Sequence, residues 1–96
     1  MKNIIQLHND DNIVVALKTY EKGSVIKIND LEIELKESVG FGHKIAIELI
    51  PKQSQVLKYG LSIGSALKEI VPGEHVHSHN LKTDYIVSQE KNTTCK

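Results

Sequence analysis

A chain of 96 residues can close one hydrophobic core and is too short for a second domain with its own core. Lysine supplies all of the basic side chains, these are balanced by an equal number of acidic ones, and the pI is near 7.0. With no basic footprint and no apolar run of membrane-spanning length, nucleic-acid and membrane partners are not expected.

The N-terminal segment Met1 to His8 lacks the apolar stretch of a signal peptide, which points to a cytoplasmic location. After the turn residues Asn9-Asp10-Asp11-Asn12 comes the first predicted element, the continuous apolar run Val14-Val15-Ala16-Leu17, which fits a buried strand. Three segments then place an apolar residue at every second position: Ile26-Lys27-Ile28, Leu31 to Lys36 and Lys44 to Leu49. A period of two means strands with one buried face. Turn residues separate them at Lys22-Gly23-Ser24, Asn29-Asp30, Gly40-Phe41-Gly42, Tyr59-Gly60 and Val71-Pro72-Gly73-Glu74. The spacing Tyr20-x-x-Gly23-x-x-Ile26 recurs as Ile70-x-x-Gly73-x-x-Val76, and as Ile50-x-x-Gln53-x-x-Val56 with glutamine in the glycine position. Each copy reads as a tight turn delivering the chain into a strand. Ser62 to Ile70 alone offers a helical alternative, because Ile63, Ala66, Leu67 and Ile70 fall at steps of three and four. With no tryptophan and one phenylalanine, the core rests on Ile, Val and Leu. The expected fold is all-β: one small domain of short strands with at most one short helix, spanning 1–88, followed by a polar, disordered tail over 89–96. The single cysteine, Cys95, lies in that tail and reads as an incidental thiol.

Chemistry concentrates in three places. In Gly73-Glu74-His75-Val76-His77-Ser78-His79-Asn80, an extended backbone would send His75, His77 and His79 to one face. Three imidazoles so placed suit either of two roles. They could ligate a metal ion, with Glu74 completing a nitrogen and oxygen site, or they could act as general acid and base near neutral pH. A polar strand edge bonded to backbone or water is the bland alternative, and for the isolated His8 it is preferred. The second place is Gly42-His43-Lys44, where a turn presents an imidazole and an ammonium together. The third is Lys58-Tyr59-Gly60, which does the same with an ammonium and a phenol. Lysines so placed can receive carboxylates, and the phenol or imidazole can donate to hydroxyls. Taken singly, each of these two motifs reads more simply as an ordinary solvated strand end.

Taken together, Gly42-His43-Lys44-Ile45-Ala46, Lys58-Tyr59-Gly60-x-x-Ile63-Gly64-x-Ala66 and Ile70-x-x-Gly73-Glu74-His75-Val76-His77-x-His79-Asn80 resemble the N-terminal SAF-type domain of the altronate and galactarate dehydratase family. The likeness runs from Asp11-Asn12-Ile13 to Leu81. Two departures occur in turns: Gln53 stands where the family usually has glycine, and Val39-Gly40 replaces an apolar-proline pair before Phe41. The resemblance implies a β-clip fold and a small subunit of a sugar-acid dehydratase working with a larger catalytic subunit. It also implies a divalent metal, Fe2+ or Mn2+, bound with or by that larger subunit. The sulfolactate sulfo-lyase small subunit is similar, and a non-catalytic carbohydrate-binding SAF module is a further alternative. Carried onto this sequence, the matching positions give His43, His77 and His79 as catalytic groups. Lys44, Lys58, Tyr59 and Asn80 become substrate contacts, and His75, His77 and His79 metal ligands.

Overall fold

In the computed structural model, residues 3–83 are described; the expected domain boundary at 88, the tail 89–96 and Cys95 lie outside them. Among the described residues there are strands, turns and bends and no helix, so the all-β expectation holds.

The run around Val14 forms β2 (Ile13–Ala16), the second strand of a four-stranded antiparallel sheet. Its neighbours are β1 (Ile4–Ile5) on one side and β5 (Lys44–Ala46) on the other, and β8 (His75–Val76) completes the order β1-β2-β5-β8. The hairpin of β3 (Val25–Ile28) and β4 (Leu31–Glu34) turns through Asn29-Asp30 as the sequence suggested. A third sheet joins β6 (Gln55–Lys58), β7 (Leu61–Ala66) and β9 (Leu81–Lys82).

Both faces of the four-stranded sheet are covered, which explains why β2 is apolar throughout instead of alternating. Val14, Ala16 and Ile45 pack on one face with Ile26, Ile33 and Leu35 of the β3–β4 region. Ile13, Ala46 and Val76 pack on the other with Val56, Ala66 and Leu81 of the third sheet. The domain is thus a central sheet between two smaller ones. Alternation misleads in two ways: β5, read from its period of two as having one buried face, is covered on both, with Ala46 fully buried, and Leu31 at the hairpin end and Leu49 beyond β5 are about half exposed.

The helical alternative over Ser62 to Ile70 is not realised. Residues 61–66 form β7, paired with β6 through a register shift between Val56 and Leu57 and with β9 through Ser65 and Ala66. A helix that short is marginal in water, and Gly64, in its first turn, weakens it further. In the strand the same glycine lets the backbone pass against the Lys82 carbonyl, a space that a Cβ would fill.

The recurrent spacing corresponds to one turn used three times. Ser24 N–H bonds to Glu21 C=O, Ser54 N–H to Pro51 C=O and Glu74 N–H to Val71 C=O, at 3.0, 3.0 and 3.1 Å. The third residue of each turn has positive φ: Gly23 at 90°, Gln53 at 73° and Gly73 at 93°. This is the type II pattern, which favours glycine at that place. The family departure at Gln53 therefore puts a side chain where the turn imposes strain.

Candidate functional site: a lysine cavity and a histidine group on opposite faces of one strand

β5 and β8 run antiparallel with Lys44 opposite Val76 and Ile45 opposite His75. One step further the same register sets His43 against His77. Because side chains alternate, His43, His75 and His77 lie toward one face of the sheet and Lys44 toward the other. The sequence places these motifs side by side; the pleat separates them.

On the lysine side, Lys44 faces a cavity of about 540 Å³ whose lining includes Lys58, Tyr59, Ser62, Ile63 and Leu81. Burial, reinforced by the nearby charge of Lys58, holds the Lys44 amine below the ordinary lysine value of 10.5. Lys58 and Tyr59 are delivered by a two-residue turn between β6 and β7 in which both Tyr59 and Gly60 have positive φ, at 60° and 72°. That is the signature of a type I′ hairpin, and tyrosine is an unfavourable occupant of its first central position. The conformation is secured by Asp11, which is only 3% exposed: Tyr59 N–H donates to its Oδ2 at 2.9 Å and Gly60 N–H to its Oδ1 at 2.7 Å. Asn12 extends the clamp, since Leu57 N–H donates to its Oδ1 at 2.8 Å and its Nδ2 donates to Gln55 C=O at 3.0 Å. Sequence reading took Asp11 and Asn12 as turn residues and missed this role. The signal was there in two adjacent polar residues leading directly into a fully apolar strand.

On the histidine side, His43 Nδ1 and His75 Nε2 are 2.8 Å apart, so one ring donates a hydrogen bond to the other. His75 and His77 stack with centroids 5.4 Å apart and planes 10° from parallel. One ring nitrogen from each of His43, His75 and His77 falls within 4.8 Å of the others. His79 is outside this group, its ring 5.8 Å from that of His75. The reason is local: the chain leaves the extended conformation after Val76. Asn80 Oδ1 accepts His77 N–H at 2.9 Å, Asn80 Nδ2 donates to His75 C=O at 2.9 Å, and Leu81 N–H bonds to His77 C=O at 2.8 Å. Burial, then the neighbouring His43, pushes the His75 pKa down, with Glu37 opposing.

These contacts bear on two residues that the sequence singled out. Asn80, carried over as a substrate contact, is fully buried and bonds the backbone of the histidine segment through its amide. Glu74, one carboxylate that could have completed a mixed ligand set, turns back to accept Val71 N–H at 2.8 Å. His8 is exposed and accepts Asp10 N–H locally, as a lone surface histidine would. No helix among the described residues is long and apolar enough to cross a membrane.

Comparison with known proteins bears on both groups. Altronate dehydratase of Bacillus subtilis (strain 168) is 40% identical over 84 residues, covering 88% of this chain and 17% of that protein. Altronate dehydratase of Escherichia coli (strain K12) is 41% identical over 80 residues, covering 83% of this chain and 16% of the relative. The chain thus spans about a sixth of the length of these two enzymes. The (2R)-sulfolactate sulfo-lyase subunit alpha of Chromohalobacter salexigens is 34% identical over 85 residues, and there the match covers 90% of the relative. The sequence profile of the altronate/galactarate dehydratase SAF domain matches residues 2–84, taking in the Gly42-His43-Lys44, Lys58-Tyr59-Gly60 and histidine segments, and the chain belongs to that family.

Proposed function

We propose that the chain acts as the small subunit of a hydroxy-acid lyase, a sugar-acid dehydratase of the altronate type, together with a larger catalytic subunit in the cytoplasm. The observation that carries this reading is the Lys44 and Lys58 pair in the cavity lined also by Ile63 and Leu81. An ammonium held down by burial and by the neighbouring charge of Lys58, as Lys44 is, is stabilised by an anion between the two lysines. A carboxylate suits that place, and Tyr59 and Ser62, which line the same cavity, supply hydroxyls with the chemistry to meet those of a substrate. Elimination of water from such an acid needs a base for the proton next to the carboxylate and an acid for the departing hydroxyl. His43, His77 and His79 are the groups of this chain with the right chemistry. They stand on the other face of β5, so the reading requires the larger subunit to bring the reacting carbon to them or to supply its own acid and base.

For the Fe2+ or Mn2+ implied by the family resemblance, the described residues bring together no mixed set of histidine and carboxylate ligands. The group that converges is made of nitrogen alone, with Glu74 turned away and Glu37 Oε2 accepting His75 N–H at 3.1 Å. Manganese favours oxygen donors, and open iron(II) sites combine histidine with a carboxylate. We therefore assign the catalytic metal to the larger subunit.

A second reading, small subunit of a sulfolactate sulfo-lyase, is favoured by the 90% coverage of a relative of that name. Recovery of the tagged chain from its source organism, with assay of the eluate on altronate, galactarate and sulfolactate with and without added iron or manganese, tests both. Dehydration by a stoichiometric complex with a larger protein is expected, and loss of that activity in Lys44→Ala. Sulfite release instead selects the second reading. Elution of the chain alone, without activity, overturns both.

A further inference from the structure

We infer that His43, His75 and His77 form a site for one zinc-class divalent ion (Zn2+, Co2+ or Ni2+), built entirely from this chain. The site is separate from the lysine cavity and does not depend on the lyase reading.

The donor set decides the class of ion. Three imidazole nitrogens within 4.8 Å, with no carboxylate among them, suit borderline transition metals and reject Mg2+, Ca2+ and Mn2+. Zinc bound to imidazole at about 2.0–2.1 Å in a tetrahedron spaces its ligand atoms about 3.3 Å apart. The 2.8 Å pair of His43 and His75 would open by about half an ångström, and the proton they share would leave. The widest pair would close by about 1.5 Å, which a side-chain rotation of the exposed His77 can supply.

The backbone around the three rings is already fixed, so little ordering is needed on binding. His43 ends a tight turn in which its N–H bonds to Gly40 C=O at 3.1 Å and its C=O accepts Ala16 N–H at 2.9 Å. His75 is held by strand pairing with Ile45, and His77 by Asn80. Asn80 ties the backbone of His75 to that of His77 through a single buried amide, fixing the spacing of these two ligands within their segment. His43 and His75 are half-buried while His77 is exposed, leaving a fourth position open on the outer side. Three protein nitrogens and one open place constitute a site that binds an exchangeable ligand, either water or a carboxylate brought by another molecule. Lys44, the neighbour of His43 in sequence, does not compete there, because alternation sends it to the opposite face.

The experiment uses the full, untagged chain, freed of metal with a chelator. Zn2+ is titrated by calorimetry, and Co2+ is followed by visible absorption. One Zn2+ per chain is expected, with Co2+ giving the intense visible bands of a four-coordinate ion and Mg2+ giving no heat. His43→Ala, His75→Ala and His77→Ala should each weaken Zn2+ by about 100-fold or more, at least the loss seen when a supporting partner alone is removed. His79→Ala should change it by less than about threefold. Thermal unfolding of the metal-free variants verifies that each is folded; if His75→Ala is not, His75→Gln replaces it. The proposal is overturned by the absence of one-to-one binding. It is overturned equally if His79→Ala costs as much as His43→Ala, or if Mg2+ binds as well as Zn2+.

Discussion

Asp11→Ala should be the most damaging polar substitution in the domain. The carboxylate accepts two backbone N–H groups, from Tyr59 at 2.9 Å and Gly60 at 2.7 Å, and is 3% exposed. Hydrogen bonds to a charged group contribute about 1.5–3 kcal/mol each. Water can return to the two N–H groups, because Tyr59 sits in an exposed turn, and this recovers about half of the total. The expected loss is therefore about 1.5–3 kcal/mol, a substantial part of the roughly 5–15 kcal/mol that holds an ordinary domain. Asp11→Asn keeps one acceptor and turns an NH2 toward the other N–H, so about 1.5–2 kcal/mol should be lost. Adding Tyr59→Gly to Asp11→Ala should return about 1 kcal/mol, since glycine occupies φ of 60° without steric cost. Urea unfolding followed by circular dichroism gives these values from midpoints at a common slope. A loss under about 0.5 kcal/mol in Asp11→Ala, or no rescue by glycine, would refute the claim that this carboxylate holds the turn.

Gln53→Gly should stabilise the domain by about 0.5–1 kcal/mol, because it removes a side chain from a positive-φ turn position that glycine fills in the two sister turns; a lower urea midpoint would contradict that reading. Gly73→Ala should destabilise by more than about 2 kcal/mol, since a Cβ there meets the Glu34 carbonyl and φ is 93°, and thermal unfolding would show it. For Lys44, the folded-state pKa lies below the unfolded one, so the unfolded chain binds the proton more tightly and stability rises as pH climbs through the interval between them. The cost of the buried ammonium is fully present at neutral pH. Lys44→Met should accordingly be more stable than the parent at pH 7, by less than about 1 kcal/mol because the amine is only half-buried and screened. That advantage should shrink as pH approaches 10.5; an advantage that widens on the alkaline side would reverse the assignment.

How much of this could be read from the residues differs between fold and site. Alternation at Ile26-Lys27-Ile28 and Leu31 to Glu34 identified a hairpin, because those strands have one wet face and a period of two needs no other information. The x-x-Gly spacing identified three equivalent turns for the same reason, positive φ being a property of a single residue. Ser62 to Ile70 was ambiguous because its apolar spacing suits either element. The choice fell to the partners β6 and β9, which lie outside the segment.

The sequence by itself determined an all-β domain, its turns, and the side chains that carry chemistry, since these follow from local periodicity and residue type. Tertiary structure decided how those side chains are grouped. His43 joins His75 and His77 because β5 pairs with β8 in one register, across more than thirty residues of chain that no local pattern spans. His79 is left out because Asn80 bends the backbone, and Lys44 parts from its neighbour His43 to meet Lys58 because adjacent residues on a strand face opposite ways. The clamp of Asp11 on Tyr59 is likewise a contact between distant segments. Chemistry is a property of residues, but a site is a property of which distant residues the strand pairing makes neighbours.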